Sequence, residues 1–509
     1  MQPTARIARW PIVPIAVPAA VIGILASVMA VRTPLWRDEY ATLSFASLPL
    51  GELWRAVTHV DAVLAPYYTL IHVVHGVVPS DLSIRLPSIA GAVTAAACVG
   101  WLAHHWWGGP ATLVAGLAFA LNPLAVQLAA TARPYALATA FLALAAVALV
   151  KATERPSAIR WILFAVPLAA AGLMHLFALL AVPALAILAV GRRRLFLGWA
   201  ASTAAAMLVV APIALLAYSQ RDQVAWIGRP SPRSAVGAIA SVMTYQADGR
   251  FGPWEAVASA LLLVSVGLSI LILVRLPTVT ASERMRLLFA AALFLFPWLF
   301  LLAYSLVLTP YLRTQYLAPS TLGLALLLGG NVGLALNRAT RASSGGRAVA
   351  LTGTTTAIAL VVVMGSFTGV SLTKPWRVDD YPSLASVLQA EAQPGDDLLV
   401  VQLYNELGVA AGLAHSLADE GFIGELQSQL PDGAQPKYNL RAIEETAPFT
   451  TSPRETIDTA ATLWIVYTRG ALTDADLLGS GLDPERCDIV FDDAAEFGIL
   501  RLARAECAP

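Results

Sequence analysis

Apolar runs recur between residues 11 and 370, and nothing else constrains this chain as strongly. A bilayer core of roughly 30 Å takes about 20 apolar residues as a helix, because inside lipid each backbone N–H and C=O must find its partner within the segment. Residues 11–31, 84–103, 111–130 and 136–150 fit that requirement. Composition agrees, since 57% of the chain is hydrophobic and only 13% charged, which excludes an ordinary water-soluble enzyme. The zero net charge conceals an asymmetry: acids are sparse up to Lys374 and dense beyond it, while arginine dominates the earlier loops. Two regions with different solvents are expected, a membrane domain over 1–374 and a tail over 375–509.

Arg6 and Arg9 precede the first run, which at about 20 residues is long for a signal peptide and reads as a retained first helix with a cytoplasmic N-terminus. Residues 32–39 then lie outside. The run 161–190 would reach about 45 Å as a single helix and would carry Arg192, Arg193 and Arg194 outward, against the positive-inside rule. A break at Gly172 to His175 returns them to the cytoplasm, together with 275–286 and 338–347. Further spans at 197–218, 254–274, 287–308, 316–336 and 348–370 bring the count to roughly eleven and leave the tail extracytoplasmic. The tail alternates helix and strand patterns: a helix over 382–392, strands over 397–402 and 463–467, and a hairpin of 488–491 with 497–502. The fold class expected is an α-helical polytopic membrane protein with a C-terminal extracytoplasmic α/β domain.

Half of the acidic residues ahead of Lys374 lie at or within the first outer loop, 32–83. The loop opens with Trp36-Arg37-Asp38-Glu39-Tyr40 and continues through His59, Asp61, Tyr67 and Tyr68. Stretches 48–57 and 66–78 are amphipathic and read as interfacial helices. Taken alone, Asp38 and Glu39 are either solvated charges at a helix end or reactive carboxylates. His59 and Asp61 either pair with each other or contact a substrate. Arg133 and Arg313 are either headgroup anchors or anion ligands. Tyr67, Tyr68, Tyr135 and Tyr316 fall where aromatic belts occur as well as where a sugar could stack, and His175 is a turn residue or a ligand. No phosphate-binding loop, HExxH or CxxC spacing is present, and no internal repeat suggests a transporter. The arginine loops follow the membrane pattern, so nucleic acid is not a partner. Of three cysteines, Cys98 sits in an apolar helix. Cys487 and Cys507 flank the expected hairpin, where an extracytoplasmic setting permits a disulfide.

In order and spacing these segments resemble the GT-C superfamily of polytopic glycosyltransferases, in particular bacterial relatives of the protein O-mannosyltransferase and aminoarabinose transferase groups. The resemblance rests on Asp38-Glu39, the run from His59 to Tyr68, Arg85-Leu86-Pro87-Ser88, Ala132-Arg133-Pro134-Tyr135-Ala136-Leu137, His175-Leu176-Phe177, and the run from Arg313 to Pro319. It covers 12–333, and the tail is similar only loosely to extracytoplasmic domains of some actinobacterial members. It implies an integral membrane enzyme that moves one sugar from a polyprenyl phosphate to a glycan, lipid or protein of the cell envelope, with inversion. Asp38 would be the general base and Glu39 its support. Arg133 and Arg313 would hold the donor phosphate, while His59, Asp61, Tyr67, Tyr68, Tyr135, His175 and Tyr316 would hold sugar or acceptor. No cofactor is required, and a divalent metal, though conceivable at His59 and Asp61 or Glu39, is not indicated. By analogy the sugar is mannose, with arabinofuranose the alternative within the class and a lipid-linked sugar flippase the alternative outside it.

Overall fold

The computed structural model describes residues 12–224, 227–245, 279–339, 344–373, 379–391, 397–401, 426–428, 463–468, 487–491 and 500–507, with isolated positions between them. Contacts divide the chain into two compact units, one of Met1–Ala30 with Arg85–Lys374 and the other of Val31–Ile84 with Pro375–Pro509. The first outer loop, expected as part of the membrane domain, thus groups with the tail.

The first unit is built of apolar helices. Helix α1 (Ile12–Arg32) is followed, after the loop, by α5 (Leu86–Trp107), α6 (Gly109–Ala120), α7 (Pro123–Ala129), α8 (Tyr135–Glu154), α9 (Ala158–Met174), α10 (Val182–Ile187), α11 (Arg193–Ser219) and α12 (Pro232–Thr244). Helices Ala281–Val307, Ser320–Ala339 and Ser344–Thr373 complete it. Among the described residues six helices are long and apolar enough to cross a membrane, or seven if one bent pair is a single span. Each span expected from the sequence has a helical counterpart, except 254–274, which lies largely outside the described residues. This is a multi-pass membrane fold.

Two local departures from simple spans have readable causes. The run 111–130 is not straight: α6 and α7 meet at 61°, because Asn122 leaves the helix, its side chain accepts from the Ala125 N–H at 3.0 Å, and Pro123 starts the next helix. The break in 161–190 falls at His175, between α9 and the 3-10 turn Leu176–Ala181. Gly172 remains inside α9, where a Cβ would stand 2.9 Å from Val210 and 3.0 Å from Leu179, so that glycine serves close packing and not the turn.

The second unit joins α2 (Arg37–Ser47), α3 (Leu50–Val57) and α4 (Ala65–Val77) to the tail. The amphipathic stretches became α3 and α4, and α2 packs on α4. In the tail, helix Tyr381–Glu391 precedes a five-stranded sheet of order β2-β1-β3-β5-β4. Strand β1 (Asp397–Val401) runs parallel to β2 (Leu426–Ser428) and β3 (Leu463–Thr468), and β5 (Leu500–Cys507) runs antiparallel to β3 and to β4 (Cys487–Phe491). Trp464, Ile465 and Val466 of β3 are buried, as the central position of that strand requires.

Candidate active site

In the second unit, the carboxylate pair opens α2. Glu39 is fully buried and its carboxylate accepts from the Trp36 N–H at 3.4 Å, the reach-back of a third helical residue that closes the first turn. Asp38 is half-buried and presents its side chain from the same turn. The two neighbours therefore differ in setting: Glu39 is fully buried and closes the helix end, whereas Asp38 is only half-buried.

The remaining loop residues divide in the same way. Asp61 adopts a left-handed backbone with φ 54°, a conformation that aspartate tolerates better than most side chains. Its carboxylate accepts from the Tyr68 hydroxyl at 2.9 Å. Tyr68 stacks on Phe45 with centroids 4.6 Å apart, and both Tyr67 and Tyr68 are buried. These groups hold α4 on α2. The His59 Nδ1 lies 3.0 Å from both the Thr58 hydroxyl and the Arg55 carbonyl, on the exposed end of α3.

In the first unit, three segments far apart in sequence meet at one cluster. Arg133 lies in the turn before α8, where its carbonyl accepts from the Ser88 hydroxyl at 3.0 Å, tying the turn to the start of α5. His175 is buried between helices; its ring centroid is 4.9 Å from Tyr135, 5.2 Å from Tyr316 and 5.5 Å from Phe177. Arg313 precedes the turn carrying Tyr316. That segment is folded back by buried Ser305, whose hydroxyl accepts from the N–H groups of Tyr311 and Leu312 at 2.9 and 3.0 Å.

Electrostatics give the cluster its character. Burial first, and the nearby Arg133 charge second, push the His175 imidazole down to about 3, so it stays neutral at ordinary pH. Its Nδ1 accepts from the Phe177 N–H at 3.3 Å, which leaves the proton on Nε2 and makes the ring a neutral donor. The Tyr245 phenol, at the end of α12, is pushed up by burial and by Tyr135 while Arg313 opposes the shift. Arg133, Tyr135, His175, Tyr245, Arg313 and Tyr316 thus share one neighbourhood with two fixed positive charges and several aromatic faces. Such a set can bind an anionic headgroup beside a sugar.

Residues 60–218, roughly a third of the chain, match the family described as dolichyl-phosphate-mannose-protein mannosyltransferase. No curated protein matches the chain significantly. Among solved structures, apo ArnT from Cupriavidus metallidurans superposes with a TM-score of 0.55 at 12% identity, covering 97% of both chains. The chain has the GT-C fold. The same ArnT bound to undecaprenyl phosphate gives a TM-score of 0.55 at 12% identity, over 97% of this chain and 98% of that one.

The carboxylates and the arginines belong to different units of that fold. Tyr245 was not singled out from the sequence, since a lone tyrosine at a helix end carries no spacing signal; nor was the segment Asp379-Asp380-Tyr381, although two adjacent acids after a membrane span repeat the pattern of Asp38-Glu39. Among the described residues no group of three or more His, Cys, Asp or Glu is placed to hold a metal ion. Cys487 and Cys507 stand opposite each other in the register of β4 and β5.

Proposed function

We propose that this protein is an inverting glycosyltransferase that moves one sugar, mannose, from a polyprenyl phosphate to an acceptor of the cell envelope. The observation that carries the reading is the gathering of Arg133 and Arg313 around the neutral His175 and its tyrosines, on a fold whose solved example binds undecaprenyl phosphate. Asp38 accepts the proton of the acceptor hydroxyl as that oxygen attacks the anomeric carbon. The sugar–phosphate C–O bond breaks on the opposite face, and the leaving electron pair goes to the phosphate oxygen. Arg133 and Arg313 take up the charge that grows there, and the His175 Nε2–H offers a further donor. Glu39 contributes by closing the helix that carries Asp38. Mannose rests on the description of the family matched over 60–218; arabinofuranose is the competing donor sugar.

Purified protein given polyprenyl phosphate carrying mannose or arabinofuranose, together with extracted envelope acceptors, should form product from the mannosyl donor. Asp38→Asn should lower turnover by about 10²- to 10⁴-fold while the protein still inserts. Product from neither donor, or undiminished turnover by Asp38→Asn, would overturn the reading. The orientation proposed is a cytoplasmic N-terminus and an external tail. Cysteine labelling in intact cells then reaches Ser231→Cys and not Ser344→Cys, and the reverse result places the tail inside.

A further inference from the structure

The tail closes the helix that carries Asp38. At the start of α2 the N–H groups of Glu39 and Tyr40 both donate to the Trp36 carbonyl, at 2.8 and 3.0 Å. The N–H of Arg37, the first helical residue, has no acceptor within its own helix. It donates instead to Oδ2 of Asp379, at 3.1 Å. Asp379 is 1% exposed, far from Arg37 in sequence and within the same compact unit. Two residues on, the fully buried Tyr381 sets its ring edge-to-face against Tyr40 at 5.1 Å. Gly412 also lies against that ring, where a Cβ would be 2.8 Å away. The segment between is anchored in turn: the Asp380 N–H donates to the Phe497 carbonyl at 3.2 Å, and the Asp380 carboxylate caps helix Tyr381–Glu391 at the Ser383 N–H, 3.3 Å. A continuous path therefore runs from Phe497, just ahead of β5, through Asp380 and Asp379 to the residue next to Asp38.

We infer that Asp379 is a positioning residue for Asp38, so that the tail is a working part of the transferase and not an appended binding module. A buried carboxylate at a helix N-terminus satisfies an orphan donor and interacts favourably with the helix dipole. Here it also fixes the direction of the first turn, which sets where the Asp38 carboxylate points. General-base catalysis depends steeply on that placement, because a shift of about 1 Å can cost about 10²-fold in rate. The inference rests on the reading of Asp38 as the base.

The test uses the full-length protein and three variants. Asp379→Ala removes the acceptor, Asp379→Asn keeps one carbonyl oxygen able to take the Arg37 N–H, and Asp380→Ala removes only the cap of the tail helix. Turnover by Asp379→Ala should fall between about tenfold and 10²-fold with donor KM changed less than about twofold, and Asp379→Asn should recover most of that loss. Asp380→Ala should lower thermal stability with kcat close to wild type. Amide exchange of the peptide spanning 35–41 should accelerate in Asp379→Ala alone. Wild-type turnover in Asp379→Ala, or equal losses of kcat in Asp379→Ala and Asp380→Ala, overturns the inference. If the wild type itself transfers no sugar, the reading of Asp38 falls, and the exchange experiment still decides the clamp: unchanged exchange in Asp379→Ala refutes it.

Discussion

A buried, neutral histidine beside an arginine has a measurable cost in acid, and His175 makes that cost calculable. Its imidazole is lowered from 6.5 to about 3, by burial first and by Arg133 second. Three aromatic rings surround it and the Phe177 N–H occupies Nδ1. Once unfolded, the same side chain titrates normally. Between pH 6.5 and about 3 the unfolded chain therefore binds a proton that the folded chain refuses, and stability falls as the pH falls through that window. At pH 5 the penalty is about 2 kcal/mol, from about 1.4 kcal/mol for each unit below 6.5. Above pH 6.5 this group contributes no pH dependence. Replacing it by glutamine, which does not titrate, should remove the penalty while leaving other titrating groups to cancel in the comparison. The assay is denaturant unfolding in detergent of wild type and His175→Gln at pH 7.5 and 5.0. Wild type should lose about 2 kcal/mol more than the variant across that interval. Parallel losses in the two proteins, or an imidazole that titrates near 6.5 in the folded protein, would refute the reasoning.

Other consequences are equally concrete. Arg133→Lys and Arg313→Lys keep the charge but lose the planar fork, so each should lower turnover by about tenfold to 10²-fold in the transfer assay, the worth of a charge-assisted hydrogen bond. Gly323→Ala would drive a Cβ to 2.7 Å from the Ala290 carbonyl oxygen and 2.8 Å from the Leu293 carbonyl carbon. Backbone cannot swing aside, so thermal unfolding should register a loss of about 1–3 kcal/mol. Gly353→Ala, facing open space, should instead gain up to about 1 kcal/mol. The register that pairs Cys487 with Cys507 predicts that both resist alkylation until a reductant is added, if the tail is extracytoplasmic.

Spans, their approximate ends and the interruption in 161–190 were legible because apolar run length and arginine placement are one-dimensional signals. The amphipathic stretches became α3 and α4 for a similar reason, since a helical period needs no partner to be read. The motif residues of the first unit were recognisable as a set, and Arg133, Tyr135, His175, Arg313 and Tyr316 do meet. What could not be read was the division of labour inside a motif. Asp38 and Glu39 are equivalent in sequence, yet Glu39 is fully buried and closes a helix end while Asp38 is half-buried. Asp61 and Tyr68, likewise, satisfy one another.

By itself, then, the sequence determined that this is a multi-pass membrane protein, where its helices run and which polar residues are too costly to be incidental, because the bilayer acts on each segment separately. Tertiary structure alone decided the 61° bend at Asn122, the place of Tyr245 beside the arginine cluster, and the docking of Asp379 onto the helix of Asp38. Each of these depends on groups separated by long stretches of chain, and such encounters are selected by packing and by the need to satisfy buried polar groups, which no local pattern encodes.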